Sequence, residues 1–384
     1  MDKWLNKADL MESLNDPAAP VVFYEHPTAS GQVLAQAHLH VEATLNSLSL
    51  DMIELLVPTL AQWAQREDVV ALLFTGAGDR AFCAGGDIQA LYHAIVRNHE
   101  RGEVIDEYPY QFFEQEYRLD YQIHTFPKPV VAIGHGVVMG GGLGIFSAAD
   151  YRVVTERSRI AMPEVTIGLF PDAGQTWLLR NMEPHFATFL GVTGSHINAA
   201  DALAIGLATH HTAGGARSEV LASLCAADWS GNAHAAVAEV LRGLPEADLP
   251  DAQINALPET LSPHMDLAEV VVAIRALRGT SPWIDRGIDA MDSGCPTTVG
   301  VVVEQLKRAR DMTLAETFQM EMVIGTHCAN NRDFAEGVRA LLIEKDNAPN
   351  WQFGDLQSLP EDYIAGHFAD PWTGAGNPLA DLGE

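Results

Sequence analysis

The chain has 384 residues, of which 51 are acidic and 23 are basic, and its formal net charge at pH 7 is -28. A charge of this sign repels nucleic acid and anionic membrane surfaces, so we expect neither as a partner. The sequence has no apolar run long enough for a transmembrane helix, and its first residues resemble neither a secretory signal nor a transit peptide. These features predict a cytoplasmic protein.

The first half of the sequence alternates between strand and helix patterns. Residues 1–19 read as a polar lead-in. Short apolar runs bounded by turn residues predict strands at 21–24, 32–37, 69–75, 129–133 and 151–155. A helical pattern begins at Ser49. The runs 69–75 and 129–133 are apolar nearly throughout, as in strands that are covered on both faces of a sheet.

The second half has a different character, because the strand signals disappear beyond about residue 180. Helical patterns extend over 198–208, 215–242, 266–279, 296–308 and 313–327. The stretch 244–263, rich in Pro, Asp and Leu, is predicted to be a loop. The sequence therefore predicts an α/β core over 20–210 and a mainly helical C-terminal region over 211–384.

Two glycine-rich segments each follow a predicted buried strand. In the first, Gly85 and Gly86 precede Asp87, which we expect to cap a helix. The second, 140–144, contains four glycines and predicts another helix start. Either segment alone also fits a tight turn. Together they favour an oxyanion hole with two backbone N–H donors, because free N–H groups at such positions bind negative charge.

A pair of carboxylates lies in an otherwise apolar stretch. Glu164 and Asp172 are separated only by apolar, Thr, Gly and Pro residues. Apolar surroundings disfavour the ionised form of a carboxyl group, which suits it for acid–base chemistry. The alternative is that Glu164 is an ordinary loop residue and Asp172 a turn residue.

Competing motifs receive little support. Residues 76–81 fit a dinucleotide-binding fingerprint, but Gly85 and Gly86 interrupt the helix that this fingerprint requires. The sequence has no nucleophile elbow, phosphate-binding loop or zinc-protease motif. Its four cysteines are scattered, and its histidine pairs lack further candidate ligands. We therefore expect no disulfide framework and no metal site.

Taken together, these segments resemble the crotonase (enoyl-CoA hydratase/isomerase) superfamily. The similarity lies in 45–48, 76–88, 128–132, 139–142, 163–172 and 193–210. It implies a spiral of ββα units with a helical C-terminal region. It also implies that the N–H groups of Gly86 and Gly141 bind the thioester oxygen. The residues that the resemblance places at the substrate are Ala84, Asp87, His93 and Gly140.

Within the superfamily the chain resembles the 3-hydroxyisobutyryl-CoA hydrolases. Hydratases carry a second glutamate where this chain has Gly144, and they lack the acid that Asp172 supplies. The segment 334–351 is similar to the C-terminal signature of those hydrolases. Three features depart from the pattern, one of which is the run of glycines after Asp172 that is reduced here to Gly174-Gln175-Thr176. His40-Val41-Glu42 replaces an Asn-Arg-Pro element, which leaves the CoA-side contacts unpredicted, and His93 stands where a glutamate is expected.

The resemblance implies hydrolysis of a short 3-hydroxyacyl-CoA in valine breakdown, with CoA as part of the substrate and no separate cofactor. Glu164 would be the base or nucleophile, and Asp172 would accept a hydrogen bond from the 3-hydroxyl group. The alternatives are an enoyl-CoA isomerase or hydratase and a non-catalytic acyl-CoA-binding protein. The sequence leaves open the exact acyl chain, the choice between water activation and a covalent anhydride, and homo-oligomer formation.

Overall fold

The computed structural model describes residues 13–262, 264–372, 374 and 376–384. Residues 1–12 of the predicted lead-in therefore lie outside the described residues. The strands are β1 Val21–Pro27, β2 Val33–Leu39, β3 Val69–Gly76, β4 Ala81–Cys83, β5 Val130–Gly134, β6 Val137–Met139, β7 Tyr151–Val154, β8 Arg159–Ala161, β9 Ile197–Asn198 and β10 His210–His211.

The helices of the first half are α1 Leu50–Gln65, α2 Ile88–Arg101, α3 Tyr108–His124, α4 Gly140–Ala148, α5 Gln175–Arg180 and α6 Pro184–Thr193. Those of the second half are α7 Ala199–Ala204, α8 Arg217–Ala226, α9 Ala233–Arg242, α10 Leu267–Arg275, α11 Pro282–Ser293, α12 Pro296–Arg308, α13 Leu314–Asn330, α14 Arg332–Val338 and α15 Glu361–Gly366. A 3₁₀ helix at Pro163–Thr166 and a π-helical turn at Arg339–Ile343 also matter below.

The strands form two sheets. The larger has the order β1-β2-β3-β5-β7-β10 and the smaller β4-β6-β8-β9. In the larger sheet β1 and β2 are antiparallel, and every other neighbouring pair is parallel. The central strands β3 and β5 are almost completely buried, as their unbroken apolar sequences predict. The long predicted strands are thus present, whereas strands of two or three residues escaped prediction because they are too short to show a period.

Most of the predicted helix starts are also found. Ser49 caps α1 by accepting a hydrogen bond from the Met52 N–H at 3.3 Å. Helix α4 begins at Gly140, as the glycine cluster predicts. The predicted loop 244–263 contains one short 3₁₀ turn, Ile254–Ala256, within its described residues. Helix α3 was not predicted, because its aromatic and charged residues alternate without an evident apolar stripe.

The chain divides into two compact units, each built from several segments. The first contains the described residues up to Gly86, Gln122–Ile160 and Ile197–Ala252. Its core joins one face of the larger sheet to α8 and α9 through buried residues that include Leu73, Ile133, Val220 and Leu241. The units therefore do not follow the predicted division at residue 210, because α8 and α9 pack against the sheet.

The second unit contains Asp87–Tyr121, Ala161–His196 and the described residues from Gln253 onward, and it is mainly helical. Helices α6 and α12 approach closely here. A β-carbon at Gly191 would lie 2.9 Å from Val302 Cγ1, so the contact requires glycine or a shift of the valine. Among the described residues, none of the helices combines the length and apolarity needed to cross a membrane.

Candidate active site

The two glycine segments lie side by side in the first unit. Gly85 has a φ of +115°, a backbone conformation that favours glycine, and its ideal β-carbon would lie 3.6 Å from the Met139 carbonyl oxygen. A β-carbon at Gly142 would lie only 2.3 Å from the carbonyl oxygen of Cys83. Glycines therefore allow the start of α4 to approach β4 and the loop that follows it.

Backbone donors are available at both predicted oxyanion positions. Gly141 is the second residue of α4, and N–H groups in the first turn of a helix have no partner within that helix. The Gly86 N–H donates to no other group in the described part of the chain. The loop itself is fixed, because Leu48 N–H donates to the Gly85 carbonyl at 2.8 Å. The arrangement suits binding of a developing negative charge, although the assignment of these two donors stays a prediction.

The remaining residues that the resemblance placed at the substrate have varied surroundings. The Ala84 N–H donates to the Leu45 carbonyl at 3.1 Å, and Asp87 caps α2 by accepting from the Ala90 N–H at 3.1 Å. Gly140 is the first residue of α4. The side chain of His93 is exposed on α2. The contact of these four residues with substrate stays a prediction. The exposure of His93 gives no evidence that its side chain lies in an acyl pocket.

Glu164 is a buried acid held on a short 3₁₀ helix in the second unit. Pro163 begins that helix, Pro163–Thr166, and fixes the backbone just before the glutamate. Burial, reinforced by the negative charge of Asp172, raises the pKa of Glu164 well above its ordinary value. Gln175 hydrogen-bonds to its side chain, whereas Oε2 has no partner among the described residues. Such a carboxylate is desolvated and has an oxygen free to take a proton or attack a carbon.

Asp172 is also buried and belongs to the same unit. The Tyr117 hydroxyl on α3 donates to Asp172 Oδ2 at 2.8 Å. Burial raises the pKa of Asp172 to about 7, while the bond from Tyr117 acts in the opposite direction. Asp172 begins a tight turn in which Ala173 has a φ of +54° and Gly174 one of +78°. The two predicted carboxylates thus lie within electrostatic reach of one another, and each has a different hydrogen-bond partner.

Three further buried acids surround this pair and were not predicted. Glu116 and Asp120 lie one turn apart on α3, and Glu321 lies on α13. Burial raises the pKa of Glu116 and Asp120 well above their ordinary values, with Asp172 and Glu321 contributing to both shifts. Burial raises the pKa of Glu321 to about 8. Acids on helices usually face solvent, so only the spacing of Glu116 and Asp120, four residues apart, hinted at a shared face.

Side chains from the C-terminal helices hold the turn that follows Asp172. Glu321 accepts the N–H groups of Gly174 at 2.8 Å and Thr176 at 2.9 Å. Gln305 on α12 donates from Nε2 to the Pro171 carbonyl at 2.8 Å and to Thr176 Oγ1 at 2.6 Å. The positions of Asp172 and Gln175 therefore depend on residues that lie more than 120 positions later in the chain.

The segment 334–351, noted in the sequence as a signature, packs against the residues that carry Glu164. A β-carbon at Gly337 would lie 2.4 Å from the carbonyl carbon of Ile167, and one at Gly168 would lie 3.0 Å from the backbone nitrogen of Phe334. Within the segment, Arg339 forms ion pairs with Glu336, Glu344 and Asp346, which connect α14 to the residues that follow it. The signature supports the backbone of the site and supplies no group to the acid cluster itself.

The structure also has a polar cavity of about 320 Å³ in the first unit. Its lining includes Arg217, which pairs with Asp79, and His135, whose pKa burial lowers to about 3. None of the predicted site residues lines it. Within the described chain, no group of three or more His, Cys, Asp or Glu side chains is arranged to hold a metal ion.

The sequence and the coordinates were compared with known proteins. A family model described as enoyl-CoA hydratase/isomerase matches residues 34–368. The chain is 30% identical over 355 residues to the mitochondrial 3-hydroxyisobutyryl-CoA hydrolase of Gallus gallus, which covers 88% of this chain and 89% of that protein. The Homo sapiens protein of the same name is 31% identical over 368 residues, with coverages of 94% and 91%.

Two solved structures are similar over most of the chain. An enoyl-CoA hydratase from Rhodobacter sphaeroides superimposes with a TM-score of 0.79 at 28% identity, covering 91% of this chain and 97% of that one. A carnitinyl-CoA dehydratase from Mycobacterium thermoresistibile gives a TM-score of 0.81 at 28% identity, with coverages of 95% and 99%. The names of the curated relatives agree with the prediction of an acyl-CoA hydrolase.

Proposed function

Since the chain belongs to the enoyl-CoA hydratase/isomerase family, we propose that it hydrolyses a short 3-hydroxyacyl-CoA, with 3-hydroxyisobutyryl-CoA as the expected substrate. The predicted resemblance and the crotonase-like α/β fold are confirmed by the family model and the two solved structures. The observation that carries the proposal is the buried pair of acids: Glu164 has an oxygen without a hydrogen-bond partner among the described residues, and Asp172 accepts a hydrogen bond from Tyr117.

In the proposed reaction Glu164 acts as the base or the nucleophile. As a base it takes a proton from water while the water oxygen attacks the thioester carbon. The tetrahedral intermediate then expels the CoA thiolate, which receives that proton. As a nucleophile it first displaces the CoA thiolate to form a mixed anhydride. Water then opens the anhydride to the free acid and the regenerated carboxylate, and the remaining proton of water goes to the thiolate. The raised pKa of Glu164 supports either role, because it makes the ionised form a stronger base.

The thioester oxygen becomes negatively charged in both routes and needs hydrogen-bond donors. We assign this task to the N–H groups of Gly86 and Gly141. Support comes from the Gly86 N–H, which has no acceptor in the part of the chain that the structure describes, and from the first-turn position of Gly141. Removal of one such donor typically lowers the rate about 10²–10³-fold, so both contribute substantially to a working hydrolase.

Asp172 is proposed to select acyl chains that carry a 3-hydroxyl group. An ionised carboxylate is only an acceptor, and a substrate hydroxyl can donate to it. A plain acyl chain would leave this buried acceptor without that bond, which costs about 1–3 kcal/mol. This role separates the proposed substrate from isobutyryl-CoA, which lacks only the hydroxyl group.

Release of free thiol tests the proposal directly. The purified protein is given 3-hydroxyisobutyryl-CoA, isobutyryl-CoA and crotonyl-CoA in parallel. We expect rapid CoA release from the hydroxyacyl substrate and release slower by about tenfold or more from isobutyryl-CoA. Equal release from both saturated substrates would contradict the role of Asp172, and no release from any would contradict the hydrolase itself.

A hydratase or isomerase is the second candidate, and one observation favours it. Glu116 and Asp120 place additional carboxyl groups in the acid cluster, although the hydratase glutamate position is Gly144 here. The two solved structures described above also carry hydratase and dehydratase names. Loss of the crotonyl-CoA absorbance without thiol release would identify water addition, and conversion of a 3-enoyl-CoA without thiol release would identify an isomerase.

A further inference from the structure

Tyr117 occupies a closely fitted place beside Asp172. Its ring stacks on the ring of Phe113, with centroids 5.9 Å apart. The centroid of the Phe318 ring lies 6.2 Å from that of Tyr117. A β-carbon at Gly325 on α13 would lie 3.2 Å from the Tyr117 oxygen, so the absence of a side chain there leaves room for the hydroxyl group. The phenol is therefore held in one direction, with its hydroxyl donating to Asp172 Oδ2 at 2.8 Å.

Burial favours the neutral form of Asp172, and the hydrogen bond from Tyr117 opposes that effect. The titratable groups that interact with this carboxyl group are Tyr117, Glu116 and Asp120 on α3, Glu164 on its 3₁₀ helix, and Glu321 and Cys328 on α13. These groups are all acids, and burial raises the pKa of each. Tyr117 donates a hydrogen bond to Asp172, because its raised pKa keeps the proton on the phenol oxygen at neutral pH.

We propose that Tyr117 is the positioning residue that sets substrate preference: by donating to Asp172 Oδ2 it keeps this carboxyl an ionised acceptor, so that acyl chains bearing a hydroxyl group are preferred. The inference rests on the proposed function and deepens it. A hydrogen bond to the charged form of a carboxyl group favours that form. Without it, Asp172 would hold a proton more often, and a protonated carboxyl group no longer requires a donor from the substrate.

The test uses Y117F, which keeps the ring between Phe113 and Phe318 and removes only the hydroxyl. The matched control is Y110F on the same helix, because the half-buried Tyr110 donates its hydroxyl proton to Asn330 Oδ1 at 2.6 Å in an exposed hydrogen bond. Titration of Asp172 is followed by ¹³C NMR of aspartate-labelled full-length protein, with D172N to assign the signal. The ratio of kcat/KM for 3-hydroxyisobutyryl-CoA over isobutyryl-CoA is measured across the same pH range.

In Y117F we expect the Asp172 titration to move upward by about one to two pH units, as loss of a hydrogen bond to a charged group implies. The substrate ratio should fall about tenfold near neutral pH, and its pH midpoint should move in the same direction. Y110F should change neither quantity. A purely structural role would lower both rates together and leave the ratio and its midpoint unchanged.

Unchanged titration of Asp172 in folded Y117F would overturn the inference, and so would a shifted titration with an unchanged substrate ratio. If Y117F does not fold, G325A disturbs the same hydroxyl while retaining it, and the same shifts are expected. If the wild-type protein releases no thiol, the proposed hydrolysis fails. The Asp172 titration and the binding ratio of the two thioesters then still decide the role of Tyr117.

Discussion

Gln305 Nε2 donates a hydrogen bond to the carbonyl oxygen of Pro171 at 2.8 Å. The same amide donates to Thr176 Oγ1 at 2.6 Å, so one buried side chain from α12 fixes both ends of the 171–176 turn, which contains Asp172. Ala173 in this turn has a positive φ, which is costly for a residue with a side chain unless its surroundings determine the conformation. Gln305 is therefore expected to matter for both folding and activity.

Substitution Q305L should remove the hydrogen bonds that connect this turn to α12. The leucine fills similar volume but leaves the Pro171 carbonyl without its donor, and an unsatisfied buried acceptor costs about 1–3 kcal/mol. We expect the free energy of unfolding to fall by that amount and kcat/KM to fall about tenfold or more, because small displacements of reacting groups are expensive. Urea unfolding and thiol release measure the two effects.

Gln319 offers the matched control for this variant. Its Nε2 also donates to a backbone carbonyl, that of Leu379, at 3.1 Å, but Gln319 is only partly buried. Q319L should keep the wild-type kcat/KM. Equal losses of activity in Q305L and Q319L would contradict the importance of the turn.

Substitution G337A should disturb the segment that supports Glu164. The added β-carbon would lie 2.4 Å from the Ile167 carbonyl carbon, so α14 or the 3₁₀ helix must move. Overpacking of this kind costs about 1–3 kcal/mol of unfolding free energy. Gly366 on α15 is the control, because its β-carbon would meet no atom within 4 Å. G366A should be neutral or slightly stabilising, and thermal unfolding distinguishes the two variants.

Substitution E164Q should abolish thiol release while leaving the fold intact. Glutamine retains the shape of Glu164 but cannot take a proton from water or form an anhydride. We expect kcat to fall by about 10²-fold or more, since general base catalysis typically contributes about 10²–10⁴-fold. The exposed Glu183 provides the control variant E183Q, which should behave as wild type. Substantial turnover by E164Q would exclude the assigned role.

Activity should also rise with pH, because Glu164 must be ionised to act. Its pKa is raised by burial and by the charge of Asp172, so the acidic limb of kcat/KM should lie above the range of an ordinary glutamate. The measurement is the pH profile of thiol release. A rate that stays constant down to about pH 5 would contradict a catalytic role for this carboxyl group.

Stability should change with pH in the opposite direction. Burial raises the pKa of Asp172 to about 7 and that of Glu321 to about 8, so the folded chain holds these protons more tightly than the unfolded chain. Their stabilising contribution is complete below the ordinary carboxyl pKa and is lost as pH rises through the folded values. The free energy of unfolding should therefore fall between about pH 5 and pH 8.

Comparison with E321Q isolates this contribution from the general repulsion within a chain of net charge -28. Each proton that the folded state retains contributes a slope of about 1.4 kcal/mol per pH unit. E321Q lacks one titrating group, so its slope should be shallower by up to about that amount. Identical slopes in urea titrations of both proteins would show that Glu321 does not carry a raised pKa.

The sequence alone determined the features that depend on residues close together along the chain. The apolar runs of β3 and β5, the cap of α1 by Ser49 and the helix start at Gly140 were all predictable, because side-chain period and backbone conformation are local properties. Glu164 and Asp172 were recognised as candidate acids because apolar residues surround them in the sequence itself. Both proved to be buried, although their catalytic roles stay predictions.

Only the tertiary structure decided which other groups join those acids. Glu116, Asp120 and Glu321 lie on helices whose polar residues look like ordinary surface positions in the sequence. Packing of α3 and α13 buries them beside Asp172, and the Tyr117 hydroxyl becomes its donor only through that packing. Contacts between residues 55 to 205 positions apart leave no mark on local periodicity, so the sequence indicated the acids of the site but not the network that tunes them.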